Sequence, residues 1–575
     1  MKRILFSLLA LTLTLSMLLA SCNKAPSDAP SDDKSDSQPP STEVTPYDRT
    51  DHYMPADIFA QMKTYLESEE AGFFPFENRA NAPFVSTDMY TLSNCRVKSI
   101  TIPVYSTDAA DKDGNFTFSL YVLSNDWATL KEDLKELSSY PILVKINARE
   151  HGLEENATDI RKFITVDLTP YAIKLSATET LGFSHKDDTL TPARVLTSGT
   201  MTVGETNVKY PPAKYMIDNW DVVGYYYHDR DDDAFTYSDH SLLFDFELER
   251  TYESEESYNA MLAAQKQEDA EYAAMIAALK AAYAGKTISV MGDSISTFNT
   301  ITNDPALGLG DNPTYSKYTL GATIYTYERT YWGKLASLTG MELGVINSWG
   351  AGKVYGNSTY QCKDNMLLRS YNLARNGKAP DLILLNYGIN DMSGSYSSAQ
   401  DTSSSKYTGN LSTGNLYQRL TATNKTKTDK EIVGEWFAEV KAEAERFGFK
   451  WDDPDTITFT SSYKSNIYTC WEAAYALSLY NIQRLYPDAE IVCITLPDRN
   501  HSSSTQPRLT RANLLIKALA EYFETGFVDQ AESGINRANC LMYGSDGTGL
   551  HPNGKGHAAL TKVIAKALYA KLPKS

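Results

Sequence analysis

From residue 286 to the C-terminus, short apolar runs alternate with longer helix-forming stretches, and each run ends abruptly in small polar residues. Thr287-Ile288-Ser289-Val290-Met291 leads into Gly292-Asp293-Ser294-Ile295-Ser296. Leu343-Gly344-Val345-Ile346-Asn347 leads into Ser348-Trp349-Gly350-Ala351-Gly352-Lys353. Leu382-Ile383-Leu384-Leu385-Asn386 leads into Tyr387-Gly388-Ile389-Asn390-Asp391, and Ile491-Val492-Cys493-Ile494-Thr495 supplies a further strand. A near-continuous apolar strand is one buried on both faces, and strands separated by helices pair in parallel, so this half reads as an α/β unit. In such a sheet the chemistry gathers at the carboxyl ends of the strands, where these polar turns lie.

The first half has a different rhythm. Ser99-Ile100-Thr101-Ile102-Pro103-Val104-Tyr105 and Phe116-Thr117-Phe118-Ser119-Leu120-Tyr121-Val122-Leu123 alternate with period two, as half-buried strands do. Phe163–Leu168 and Trp220–Tyr227 add β-branched and aromatic runs, with turn residues between them. Residues 46–250 are therefore expected to form an all-β antiparallel sandwich. Their sequence is similar to the jelly-roll accessory modules that accompany many secreted carbohydrate-active esterases. Residues 251–285 are rich in Ala, Glu, Gln, Lys and Leu and end at Gly285, which predicts a helical connector.

The N-terminus carries an address. Lys2 and Arg3 precede an apolar run from Ile4 to Ala20, the build of a secretory signal peptide. Leu19-Ala20-Ser21-Cys22 resembles a bacterial lipoprotein box, which implies cleavage and a diacylated Cys22 over residues 1–22. Residues 23–45 are polar and proline-rich, so they are expected to be a disordered tether. The expected location is the bacterial cell surface, with the membrane as a partner through the lipid anchor. The 575 residues carry 54 Lys and Arg against 72 Asp and Glu, a net charge of −18 that repels phosphate backbones and argues against nucleic-acid partners.

Five further cysteines, Cys95, Cys362, Cys470, Cys493 and Cys540, are odd in number and show no zinc-ligand spacing, so neither a disulfide framework nor a structural metal is expected. Cys493 lies in an apolar run and reads as a small core residue. The acidic stretches around Asp108–Asn115 and His228–Asp233 read better as solvated hairpin loops than as calcium sites. Two long interruptions, Ser393 to about Lys430 and onward to about Lys464, are read either as shaping a substrate site or as surface decoration.

A Gly-Asp-Ser turn alone is weak evidence for a nucleophile, because a serine hydroxyl needs a base. Here it is followed, in order, by the Asn347–Lys353 block, the Gly388–Asp391 block and Asp546-Gly547-Thr548-Gly549-Leu550-His551-Pro552-Asn553. Together these resemble the four blocks of the SGNH (GDSL) hydrolase family over residues 286–575. The resemblance implies an SGNH-type three-layer sandwich with a parallel sheet. It also implies a carboxylic ester hydrolase in which Ser294 is the nucleophile, His551 the base, and the Ser294 N–H, a glycine N–H and the Asn390 amide the oxyanion donors. The glycine is Gly352, with Gly350 as the competing register.

The family places its supporting acid three residues before the histidine, where this chain has Thr548. Asp546 is the candidate in its place, and the alternative is a Ser–His dyad. Asp293 adjoins the nucleophile and is read as bonding its turn, while His501 and His557 read as surface histidines. There is no Gly-x-Ser-x-Gly elbow, so a lipase-type α/β-hydrolase fold is not supported. The expected activity is hydrolysis of acyl esters, chiefly acetyl esters on carbohydrate, without cofactor or metal. A lipid esterase or thioesterase, and a catalytically weak surface glycan-binding lipoprotein, are the competing readings.

Overall fold

The computed structural model describes residues 95–106, 115–124, 142–147, 160–185, 245–252, 255–297, 327–348, 365–392, 416–457, 470–498, 506–537 and 549–573 with single-residue gaps. It also describes Gly352, Val354, residues 540–543 and several short strands between residues 47 and 238. Residues 1–45, Cys22 among them, lie outside the described residues, as do residues 107–114 and 230–233, Gly350, Cys362, His501, Asp546 and Thr548.

In the C-terminal half, five strands form one sheet: β1 (Thr287–Gly292), β2 (Glu342–Ser348), β3 (Leu382–Asn386), β4 (Glu490–Ile494) and β5 (Gly526–Val528). Every pairing is parallel, in the spatial order β2-β1-β3-β4-β5. The first four match the apolar runs to within a residue. The fifth was not anticipated, because three residues, Gly526-Phe527-Val528, are too few to show a period.

Helices cover both faces. On one side lie α1 (Glu255–Tyr283), α2 (Tyr331–Thr339) and, at the end of the chain, a helix over Gly554–Lys571. On the other lie α3 (Asp429–Arg446), α4 (Trp471–Leu485) and α5 (Gln506–Tyr522), which makes the Gly554–Lys571 helix α6. Alternation along each strand divides the sheet between these layers. Ile288, Val290, Leu382 and Leu384 face α1, α2 and α6, whereas Met291, Ile383, Leu385 and Cys493 face α3, α4 and α5. The result is the three-layer α/β sandwich expected.

The helix foreseen as a connector does more than connect. Met275, Leu279 and Tyr283, four residues apart along α1, are buried in the same core as β1 and β4, and the Tyr283 hydroxyl donates to Glu490 Oε2 at 2.6 Å. The second interruption is likewise structural in part. Helix α3 opens on a capping box in which Thr428 and Glu431 each bond the other's backbone N–H, and it buries Ile432, Val433, Trp436, Phe437 and Val440 against α4 and α5. Residues 429–446 are thus a core layer of the sandwich.

The first half is antiparallel throughout the described strands. One sheet is built around Cys95–Ser106, flanked by Asp245–Tyr252 and Ile160–Asp167, and a second around Asn115–Ser124, flanked by Glu179–His185 and Ile142–Asn147. Ile100, Ile102 and Phe246 are buried in the first, and Phe118, Leu120 and Phe183 in the second. Tyr225–Asp229 and Ala234–Ser238 pair as the two arms of a hairpin.

Candidate active site

The sheet order places a switch at β1. The chain leaves β1 toward β2 on one side and returns to β3 on the other, so β1 and β3 meet at a topological switch point, where parallel α/β sheets hold their sites. Ser294 follows β1 and Asn390 follows β3.

Directly after Gly292 the backbone leaves the sheet at Asp293 and enters a single 3-10 turn, Ser294–Ser296. Asp293 caps it: its Oδ1 accepts from the Ile295 N–H at 3.1 Å. The Ser294 carbonyl accepts from the Thr297 hydroxyl at 2.7 Å. Behind the turn, the Trp332 indole N–H of α2 donates to the Ser296 carbonyl at 2.9 Å, and the Tyr331 and Ser296 hydroxyls share a hydrogen bond of 2.8 Å. Ser294 is 5% exposed, so a short turn held from three sides presents a nearly buried hydroxyl at the sheet edge.

Across 257 residues of sequence, His551 Nε2 stands 2.9 Å from Ser294 Oγ. In the tautomer with Nε2 unprotonated, the hydroxyl donates to the ring, the geometry of a general base. His551 sits in the loop before α6, and Gly549, two residues earlier, fixes that loop's path. Gly549 has φ +64, and a Cβ there would lie 2.9 Å from Cys540 Sγ and 3.0 Å from the Cys540 carbonyl. Only glycine takes this conformation without strain.

The third block turns sharply at Gly388, which has φ +124. A Cβ there would meet Val354 at 3.1 Å and the Trp471 indole at 3.3 Å. Asn390 follows in the 3-10 turn Ile389–Asp391, and its Nδ2 donates to the Gly352 carbonyl at 3.0 Å. That bond fixes which end of the amide is nitrogen and uses one of its two N–H groups. Next to it, Asp391 Oδ2 accepts from the Val354 N–H at 2.9 Å, so the 352–354 segment is fastened to the third block twice. Asn347, at the end of β2, donates through Nδ2 to the Arg369 and Asn372 carbonyls at 3.0 Å and braces the chain that returns toward β3.

Asp293 is 1% exposed and reaches farther than its own turn. Its Oδ2 accepts from the Gly388 and Ile389 N–H groups, each at 3.2 Å. Burial pushes this carboxyl up to about 6, against the pull of its three backbone N–H partners and of His551. The residue expected only to hold the nucleophile's turn therefore joins the first block to the third, a contact between positions 95 and 96 residues apart that no local pattern reveals.

His557 is corrected by the structure. It is 2% exposed and not on the surface; its Nδ1 accepts from the Tyr331 N–H at 3.2 Å, and its ring stacks on Tyr331. The cause is helical phase: on α6, His557 shares the inward face with Leu560, Thr561 and Ile564.

The structure thus gathers Ser294, His551, Asn390 and Gly352 at one sheet edge, with Asp546 outside the described residues. Among the described residues no three His, Cys, Asp or Glu side chains cluster as metal ligands would, and no helix is long and apolar enough to cross a membrane. Cys95, Cys470, Cys493 and Cys540 are buried, and none of them is in a disulfide.

Residues 290–559 match the sequence model of the GDSL-like lipase/acylhydrolase family. The chain carries a domain of that family. It is an ester hydrolase with the SGNH-type α/β fold. No curated protein matches the chain in sequence. Among solved structures, similarity is found to a GDSL-like lipase from Bacteroides ovatus at 15% identity, covering 50% of this chain and 100% of that one, with a TM-score of 0.28. A catalytic mutant of Axe2, an acetylxylan esterase from Geobacillus stearothermophilus, is similar at 13% identity over 50% of this chain and 95% of its own, with a TM-score of 0.26. A carbohydrate esterase family 2 enzyme with a carbohydrate-binding domain, from Corynascus thermopiles, covers 87% of this chain and 98% of its own at 13% identity and a TM-score of 0.27. Likenesses this remote carry no functional information. Within the GDSL-like domain, the turns that hold Ser294 and Asn390 are the ends of β1 and β3.

Proposed function

We propose that this chain is a serine esterase that removes acetyl groups from carbohydrate at the bacterial cell surface. The observation that carries the mechanism is the 2.9 Å approach of His551 Nε2 to Ser294 Oγ, beside Asn390 at the switch point of the sheet.

As His551 Nε2 takes the hydroxyl proton, Ser294 Oγ bonds to the ester carbonyl carbon, and the carbonyl oxygen becomes a tetrahedral oxyanion. The oxyanion is met by the Ser294 N–H, the Gly352 N–H and the Asn390 side-chain amide. The carbon–alkoxy bond then breaks and the imidazolium returns its proton to the departing sugar hydroxyl, leaving an acetyl-Ser294 ester. Water, deprotonated by His551, attacks that ester through a second oxyanion, and acetate leaves as Ser294 Oγ recovers its proton. Asp546 is the acid assigned to orient the imidazole, with a Ser–His dyad as the alternative. No step calls for a metal or an organic cofactor.

The carbohydrate preference rests on the signal-like N-terminus ending at Cys22 and on the antiparallel β sheets joined to the esterase domain. On this reading the accessory sheets are a jelly-roll-like module of residues 46–250, and residues 23–45 tether the protein to its lipid anchor.

The test is the initial rate of 4-nitrophenyl acetate hydrolysis by the protein and by Ser294→Ala, followed by acetate release from acetylated xylan. Turnover that vanishes with Ser294→Ala, together with acetate release, is the expected result. Turnover equal in both proteins removes Ser294 as the nucleophile. Hydrolysis that rises steeply with acyl chain length, with no acetate from the polymer, replaces the carbohydrate reading with a lipid one.

A further inference from the structure

Two of the proposed oxyanion donors come from two different turns. The Ser294 N–H belongs to the turn after β1, and the Asn390 amide to the turn after β3. Each turn is short, each follows a different strand, and donors of this kind work only when both are aimed at one point before the charge develops. Something must fix the distance between the turns.

We infer that Asp293 is a positioning residue, a carboxylate clamp that sets the Ser294 turn and the Asn390 turn against each other and so preorganises the oxyanion hole; the inference rests on Ser294 and Asn390 acting as proposed above.

Its two oxygens divide the work. Oδ1 holds the Ile295 N–H at 3.1 Å and with it the turn whose first residue is Ser294. Oδ2 holds the Gly388 and Ile389 N–H groups at 3.2 Å each, the two donors immediately before Asn390. Three N–H groups arriving from two directions require acceptor lone pairs on both oxygens, which an ionised carboxylate has and its amide analogue lacks. In Asp293→Asn one end of the side chain becomes a donor and faces N–H groups, so one of the two turns loses its anchor. The chain keeps a carboxylate in a site that is 1% exposed, where simple burial favours the neutral form. Gly388 shows the same close tolerance from the opposite side, since its φ is +124 and a Cβ there would meet Val354 at 3.1 Å and the Trp471 indole at 3.3 Å.

The clamp acts through Asn390, so its effect depends on Asn390 being present. The experiment is a double-mutant cycle on 4-nitrophenyl acetate hydrolysis with Asp293→Asn, Asn390→Ala and the pair, with Ser294→Ala as the reference for the nucleophile. Asp293→Asn is expected to lower kcat by about 10–100-fold with KM within about 3-fold, somewhat less than the loss of a whole donor. On the Asn390→Ala background the same change is expected to cost less than about 3-fold, because the donor it positions is already gone. A phenylboronic acid adduct, which places an oxygen in the same hole, should weaken in Asp293→Asn by a factor close to that in kcat.

Full kcat in Asp293→Asn, or an equal fold-loss with and without Asn390, overturns the clamp and leaves the nucleophile assignment standing. Turnover surviving in Ser294→Ala overturns the reading beneath it instead. Should Asp293→Asn fail to fold, Asp293→Ser, which keeps an acceptor near its own turn alone, enters the same cycle with the same expected coupling.

Discussion

Strand β3 and the strand Ile142–Asn147 are both short, β-branched or leucine-rich and apolar at their centres, yet they occupy different surroundings. All five residues of Leu382–Asn386 are buried. In Ile142–Asn147, Val144 is buried while Leu143 and Lys145 are exposed on either side of it. The first lies in a parallel sheet covered by helices on both faces, and the second is the last strand of an antiparallel sheet, with Leu143 and Lys145 exposed. Coverage is what lets the parallel sheet hold chemistry at its edge. A carboxylate such as Asp293 can be kept dry there and can still be satisfied by backbone N–H groups, because the strand ends deliver turns from several parts of the chain to one place. In the antiparallel half each strand meets its neighbours along its length, and the described residues gather no comparable set of polar side chains.

If the covered edge is the reacting centre, the largest effect of any single change falls there. His551→Ala is expected to lower kcat for 4-nitrophenyl acetate by about 10⁴-fold or more, since a triad-like pair works as a unit. Retention of most activity would transfer the base to another group. Asn390→Ala should cost about 10²–10³-fold in kcat with little change in KM, the signature of a donor that strengthens only as the oxyanion forms. A loss confined to KM would make Asn390 a substrate-binding residue.

The comparison is also one of packing. Leu384→Ala removes a fully buried side chain between the sheet and the layer of α1, α2 and α6 and is expected to lower unfolding stability by about 2–5 kcal/mol. Leu143→Ala, at a position 39% exposed, should change it by less than about 0.5 kcal/mol. Chemical denaturation of the two variants measures this, and equal losses would mean that the antiparallel sheet is covered as fully as the parallel one.

A further expected effect is that of pH on stability through Asp293. Its carboxyl holds its proton up to about pH 6 in the folded chain, against an ordinary value of 3.8. Between these values the native state binds the extra proton, so this group's contribution to stability falls as pH rises, by at most about 1.4 kcal/mol per pH unit, and is flat above 6. The stability of wild type minus that of Asp293→Asn should therefore decline from pH 4 to 6 and then level off. A difference that rises over this range would place the folded carboxyl below its ordinary value.

What could be read from the chain follows the same division. Continuous apolar runs located four of the five parallel strands, and their abrupt polar ends located Ser294, Asn390 and the Gly352 region, because each strand end is local in sequence. His551 was legible through the block it closes, Asp546–His551, by its likeness to the family's last block. The reach of Asp293 to Gly388 and Ile389 was not, since it depends on two strands lying side by side, nor was the burial of His557, which depends on which face α6 turns inward. Helix α3 was missed for a third reason: its charged residues gave the sequence a surface character, although Trp436, Phe437 and Val440 on its other face enter the core.

The central claim is that Ser294 and His551 form the hydrolytic pair, and covalent labelling tests it most directly. After reaction with a fluorophosphonate, peptide mapping by mass spectrometry should find one phosphonylated residue, Ser294, with labelling slowed severely in His551→Ala. An adduct on a different serine, or a Ser294 that remains unlabelled while the protein still hydrolyses 4-nitrophenyl acetate, would contradict it.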